Sequence, residues 1–452
     1  MSMARMPKRP QVRPPGAWSF PRARTFLLDN GLRVILHNLP GQYVVSVGLL
    51  LDVPLNSEPT RLEGVSMLTA STLTEGSHTH PGTSFAEAVE ASGSVLEATV
   101  GYSHVHVLAD VPGAHLRTAI KLLAESVMEP QLADADVERH RRLHVANLQQ
   151  QLATGAGRAH HALRRALIDE SFRASRARVG MPGAIEQVTG ADVREYHGAT
   201  HGPHGSVLVL SGDYDHGVLD DVIDIFSAWE CPAQERSPHE EPTGRRPGVW
   251  LVDRPGSVQA DIRYGWFTTD RRDPRWADLQ VTTNALGGAY LSRLNRVLRE
   301  EKGFSYGVSL LNAPLRSGGY SYAQGSFRNE VVGEALALVP SLLDVDAAPI
   351  TAAEVERARD YLIGTTPLNY ATATGVTVGV LSLIGAGLGP EAVDTQLANY
   401  RTVTPDSASA AAAELLPHRA GTLVVVGDAG GLEGSLRSAG WDPTVVGVGD
   451  WI

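Results

Sequence analysis

A single cysteine in 452 residues, Cys231, excludes an internal disulfide and any thiolate metal cluster. Long apolar runs are missing as well. No 18 consecutive apolar residues occur, so no membrane-spanning helix is expected. Basic residues are in the minority, 39 Lys and Arg against 50 Asp and Glu, for a formal charge of −11. A body of that sign binds nucleic acid poorly and steers basic ligands toward itself. Residues 1–22 are the exception, with five basic side chains and no acid. Rich in Pro and Arg, and without the apolar core of a signal peptide, they read as a disordered arm. The cytoplasm is the expected compartment. What remains is too long for one ordinary core, and two domains are expected.

The order of elements supports two. After the turn signal Asp29-Asn30-Gly31, Leu32 to His37 and Val44 to Leu51 read as strands. Gly64 to Thr74 reads as helix, as does Ser84 to Ala91, where Ser84 and Glu87 make a capping box. Two strand-like runs span Val95 to Val111. Helical patterns cover Ala114 to Glu129 and Asp134 to Thr154, and Ser206 to Gly212 closes this half as a strand. Residues 232–248 are charged, Pro-rich and without apolar period, a linker between units at 23–231 and 249–452. The second unit repeats the first. Val249 to Val252 and Ala260 to Trp266 mirror the opening strands. Asp136-Val-Glu-Arg139 recurs as Glu354-Val-Glu-Arg357, and Leu208-Val-Leu-Ser-Gly-Asp213 as Leu423-Val-Val-Val-Gly-Asp428. The expected fold is α+β: two tandem, duplicated α/β-layer domains, each a mixed, mostly antiparallel sheet with helices packed on it.

The stretch Leu291 to Val308 carries the densest pattern. Leu291, Leu294 and Leu298 fall at i, i+3 and i+7, one buried stripe of a charged helix that Gly303 can close in a left-handed cap. Phe304, Tyr306 and Val308 alternate as one face of a strand. On these residues alone, Arg299 is a surface charge at a helix end and Tyr306 fills a core. Gly303-Phe-Ser305-Tyr-Gly307 matches a nucleophile elbow in letters, but the elbow needs strand before helix, the reverse of the order here. Gly287-Gly288 lacks the Lys-Ser/Thr of a phosphate loop.

Sixteen histidines are available. His140 and His144 stand at i, i+4 on a long helix, the spacing of one metal face, but only Arg141, Arg142 and Leu143 lie between them. His78 and His80 fall in a turn, His104 and His106 share a strand face, and His197, His201 and His204 straddle a loop. None outranks a structural role.

Ser292-Arg-Leu294, Leu298-Arg-Glu300, Lys302-Gly303 and the Tyr of Phe304-Ser-Tyr306-Gly307 resemble the C-terminal half of the pitrilysin/insulinase-type zinc peptidases, in the mitochondrial-processing-peptidase-like bacterial branch. Asp29-Asn-Gly-Leu-Arg-Val-Ile35 and Phe85-Ala-Glu-Ala-Val-Glu-Ala-Ser-Gly93 extend the resemblance to the first half, from about Thr25 to Gly430. It implies that the two domains form half of a clam shell closing over a peptide. It also implies a zinc motif, H-x-x-E-H, on a helix of the first domain, with a further Glu on a later helix. Here Met67 and Ser71 stand in place of the two His, Ala70 in place of the base, and Asn147 near the last ligand. Thioether, hydroxyl and amide cannot hold a hydrolytic zinc, and alanine cannot take a proton. No metal or other cofactor is expected in this chain. In two-chain members of the family one subunit carries zinc and the other an Arg and a Tyr that hold the substrate. Arg299 and Tyr306 match that pair, which makes the expected partner a zinc-bearing homologue and the expected ligand a peptide or unfolded polypeptide. A scaffold without catalysis, like core subunits of respiratory complexes, is the alternative. A lone hydrolase using His140 and His144 is the third reading.

Overall fold

The computed structural model describes residues 17–231, 234–235, 237–447 and 449. Two six-stranded sheets are built from β1 (Arg24–Leu27), β2 (Arg33–Asn38), β3 (Val44–Leu51), β4 (Val95–Val100), β5 (Val105–Pro112) and β6 (Val207–Gly212), then from β7 (Val249–Asp253), β8 (Gln259–Thr268), β9 (Ser309–Pro314), β10 (Gly319–Arg328), β11 (Thr422–Gly427) and β12 (Thr444–Val446). The orders are β1-β2-β6-β3-β5-β4 and β12-β7-β11-β8-β10-β9. Stripped of the outer strands β1 and β12, the two follow one topology, with β2–β6 and β7–β11 as the matching parallel pairs. The repeat read from sequence is therefore a repeat of fold.

Seven helices position the site: α1 (Val65–Thr72), α2 (Asp134–Ala153), α3 (Gly155–Leu167), α4 (Trp276–Thr283), α5 (Ala352–Asn369), α6 (Ala373–Gly385) and α7 (Ala392–Thr402). The helix after each long one crosses to the other half. α3 lies on β8 and β11, and α6 lies on β3 and β6. β3 shows why its run is apolar throughout. Val45, Val47, Leu49 and Leu51 face the first core, while Leu50 packs with Val376, Val380 and Leu381 of α6. A strand covered on both faces reads as continuous rather than alternating. Gly48 sets the approach: a Cβ there would come within 2.6 Å of Leu381 and 2.8 Å of Thr377. α3 buries Ala159, Ala162, Leu163, Ala166 and Leu167 against Val424, Val426, Tyr320 and Tyr322. Arg164 sits inside this seam, its guanidinium over the rings of Tyr102 and Tyr320, and donates to Tyr320 Oη at 2.8 Å.

Several local expectations are corrected. Of the arm at 1–22, residues 1–16 lie outside the described residues, and 17–22 are docked rather than disordered. Phe20 is buried, its N–H donates to Asp394, and Trp18 stacks on Tyr370. The described linker residues are strapped to the first half: Glu240 accepts from the N–H of Arg173 and Ala174, and His239 meets Asp52 at 2.9 Å. The helix near Ser84 spans Thr83–Ala91 with Gly82 as its N-cap, and Ser84 Oγ donates backward to Pro81 O. No capping box forms there.

The stretch Leu291–Val308 differs most. Ser292 caps a single α-turn, Arg293–Asn295, which continues as a π-helix, Arg296–Glu301, and a second π-segment occupies Asn284–Gly288. Leu294 and Leu298 are fully buried, but Leu291 precedes the cap and is exposed. Gly303 does close the helix at φ +63°. Phe304 to Val308 is a loop, not a strand, because Asn295 Oδ1 takes the N–H of Val308 and Ser305 Oγ bonds to Gly307. Side-chain bonds to backbone have replaced a ladder.

Arg293 ties this stretch to α5 through Glu354, Nε–Oε1 2.6 Å. Burial raises the pKa of Glu354, but the bonds from Arg293 and Thr351 outweigh it and hold it at about 2. A carboxyl depressed in the folded state stabilises fully above its unfolded value of about 4.3, and that contribution fades as pH falls toward 2. Glu354→Gln is expected to lower stability at pH 7 and flatten the acid limb between roughly pH 4.5 and 2. Urea unfolding across that range tests it; parallel acid limbs for both proteins would contradict the assignment.

Candidate functional site

The first candidate face begins at the N-terminus of α1. Gly64 (φ +107°) leads into the helix without a side-chain cap of its own. Glu58 supplies the acceptor instead: its Oε1 takes the N–H groups of Gly64 and Ser66, each at 3.0 Å. A carboxylate there satisfies orphan donors and meets the positive end of the helix dipole. Arg173 holds Glu58 at 2.9 Å, and Arg176 holds Glu63 at 2.7 Å, both carboxylates being buried. This network fixes where α1 points.

α1 lies against α2 and against β4, an edge strand whose one neighbour in the sheet is β5. Met67 is half-buried, Ala70 is buried, and Ser71 Oγ shares a 2.8 Å hydrogen bond with His144 Nε2. Burial lowers the pKa of His144, and His140 beside it acts in the same direction, so the ring is neutral at pH 7. His140 Nε2 is 2.7 Å from Glu75 Oε1, and Arg139 pairs with the other oxygen of Glu75. Asn147, the residue expected opposite the motif, is exposed; the side chain of α2 that reaches Ser71 is His144. The contact of His144 with Ser71 was not read from the sequence. The i, i+4 spacing was the available signal.

These donors do not suit a hydrolytic zinc. A thioether, a methyl and a hydroxyl occupy the motif, and both nearby imidazoles are already bonded, one beside an Arg. Among the described residues no cluster of three or more His, Cys, Asp or Glu could hold a metal ion.

The second candidate face lies in the other half. Tyr306 is fully exposed, at 101%, and borders a shallow hollow of about 300 Å3 with Arg263, Gln324 and Ser326. Its expected role as a core filler is thereby removed. Arg263, buried in the middle of β8, escaped the sequence reading although a charge within an apolar strand is unusual. Arg299 is not part of that hollow. Its guanidinium lies 3.6 Å from the centre of the Tyr290 ring, and its Nε donates to Glu300 at 2.8 Å. Ser305 spends its hydroxyl on Gly307, which suits a turn and not a nucleophile.

Residues 33–176 match the family model described as Insulinase (Peptidase family M16), and residues 187–362 match the one described as Peptidase M16 inactive domain. The chain belongs to the insulinase-type peptidase family. The first match spans the Met67-Ala70-Ser71 face and the second spans Arg299 and Tyr306. A Mycobacterium tuberculosis relative designated an uncharacterized zinc protease is 27% identical over 443 residues, 96% of this chain and 98% of its own. Human mitochondrial cytochrome b-c1 complex subunit 1 is 25% identical over 202 residues, 45% of this chain and 42% of its own. Among solved structures, a peptidase M16 inactive domain from Pseudomonas fluorescens superposes with a TM-score of 0.83 at 20% identity, covering 90% of this chain and 98% of that one. The fold is thus the family's half clam shell.

Proposed function

We propose that this chain is the metal-free subunit of a two-chain zinc peptidase, lending Arg299 and Tyr306 to a peptide held between it and a zinc-bearing homologue. One contrast carries the reading. The polar groups around the degenerate motif are bonded to one another, whereas the Tyr306 phenol stands free in solvent. On this reading the homologue supplies zinc, the activated water and the base. The Tyr306 hydroxyl donates to the oxyanion that develops at the scissile carbonyl. Arg299 offers its fork to a substrate carbonyl. It must first leave Glu300, an exposed neighbour worth little as an ion pair. The unpaired edge of β4 gives an extended peptide a row of backbone donors and acceptors.

Sedimentation of the chain with its zinc-bearing homologue is expected to show a one-to-one complex that retains an unfolded peptide. Two species sedimenting independently would remove the proposal. A second reading, a scaffold without turnover, draws support from the similarity to the cytochrome b-c1 subunit. It predicts a complex whose properties ignore Tyr306.

A further inference from the structure

A cavity of about 540 Å3 lies within the second half, lined by α4, α5, α7, the end of α6 and the loop after β8. That volume is within the range of small-molecule sites, about 300–1,000 Å3. Neither candidate face above includes it. The loop contributes three successive charges, Arg271, Arg272 and Asp273. Arg272 is paired with Asp270 at 3.1 Å, and Asp273 with Arg275 at 2.7 Å. Arg271 differs. Its one hydrogen bond runs from Nη1 to Ser382 Oγ at 3.1 Å, and no carboxylate among the described residues is within ion-pair distance.

A guanidinium has five N–H donors and stays charged at pH 7. Burial disfavours the charge on Arg271, while the phenols of Tyr370 and Tyr400 favour it. A half-buried cation with one neutral acceptor is costly until an anion joins it. A second donor on the same wall, Gln396 Nε2, is buried without a well-formed hydrogen bond among the described residues, and the Tyr400 phenol beside it donates to Gln280. The rest of the lining is mixed: Trp276, Leu383, Leu388 and Val393 form an apolar stretch, and Asn312 and Thr366 are polar. Donors beside an apolar stretch of wall fit a ligand with one charged end.

We propose that this cavity binds a small organic anion, a carboxylate on an apolar body, with the Arg271 fork on the carboxylate and Gln396 as a second donor. The carboxylate belongs either to a free acid or to the C-terminal residue of a peptide. Binding requires neither the zinc-bearing homologue nor catalysis, so it stands apart from the function proposed above.

Calorimetry on the full chain tests it with three probes: N-acetylphenylalanine, its uncharged amide, and a hexapeptide ending in free phenylalanine. The acid is expected to bind saturably, and the amide at least about tenfold more weakly. Arg271→Gln is expected to bring the acid down to the level of the amide. Binding of the hexapeptide as well would assign the cavity to peptide C-termini, and its failure to bind would assign it to free acids. Equal binding of acid and amide, binding unchanged in Arg271→Gln, or no binding of either acid would each overturn the proposal. Should Arg271→Gln not fold, the comparison of acid with amide on the native chain decides alone.

Discussion

Tyr306→Phe is expected to lower turnover by the mixed enzyme about 10²-fold, with KM nearly unchanged. Removing one oxyanion donor typically costs about 2.7–4 kcal/mol of transition-state stabilisation, and the donor acts only as the charge develops. The side chain is fully exposed and makes no hydrogen bond among the described residues, so the variant keeps its fold and its stability within about 0.5 kcal/mol. That separation makes the measurement clean. Steady-state kinetics on the mixture, with unfolding curves for the variant chain, checks both halves of the expectation. Wild-type turnover would remove Tyr306 from the chemistry.

Arg173→Met carries the largest expected effect on stability. Arg173 is 4% exposed and contacts Glu58 and Glu63, both buried. Removing the cation leaves Glu58 without a counter-charge while Glu63 keeps Arg176, and breaking such a buried pair costs about 3–5 kcal/mol. Against a total of about 5–15 kcal/mol for a domain, that is a large share. Replacing Glu58 by Met as well removes the stranded charge, yet stability should return only in part. The N–H groups of Gly64 and Ser66 then lose the carboxylate that caps α1. Urea unfolding of both single variants and the double variant gives the coupling. A loss under about 1 kcal/mol for Arg173→Met would show that the network does not hold α1.

The large features were legible because they rest on patterns the chain repeats. Leu208 to Asp213 and Leu423 to Asp428 mark β6 and β11, the central parallel partners of the two sheets, and one topology follows. The exchange of α3 and α6 was not legible. An apolar stripe such as Ala159, Ala162 and Ala166 says that a helix buries a face, not which sheet receives it. The stretch around Arg299 failed for a different reason. Its reading began the helix at Leu291, but Ser292 caps the helix after it, and the π-helix over Arg296–Glu301 departs from the 3.6-residue period further on. The alternation of Phe304, Tyr306 and Val308 likewise looked like a strand until Asn295 took the N–H of Val308. At the degenerate motif, the losses at Met67, Ala70 and Ser71 were visible as letters. The hydrogen bond between Ser71 and His144 was not, since the facing of two helices decides it. Arg271 could not be found either, because its lack of a carboxylate partner among the described residues exists only in three dimensions.

The most direct test measures peptidase activity and zinc content for this chain alone, for its zinc-bearing homologue alone, and for an equimolar mixture. The account predicts activity in the mixture only, with zinc tracking the homologue. Full activity of the homologue alone, unchanged on mixing, or zinc and activity in this chain by itself, would contradict it.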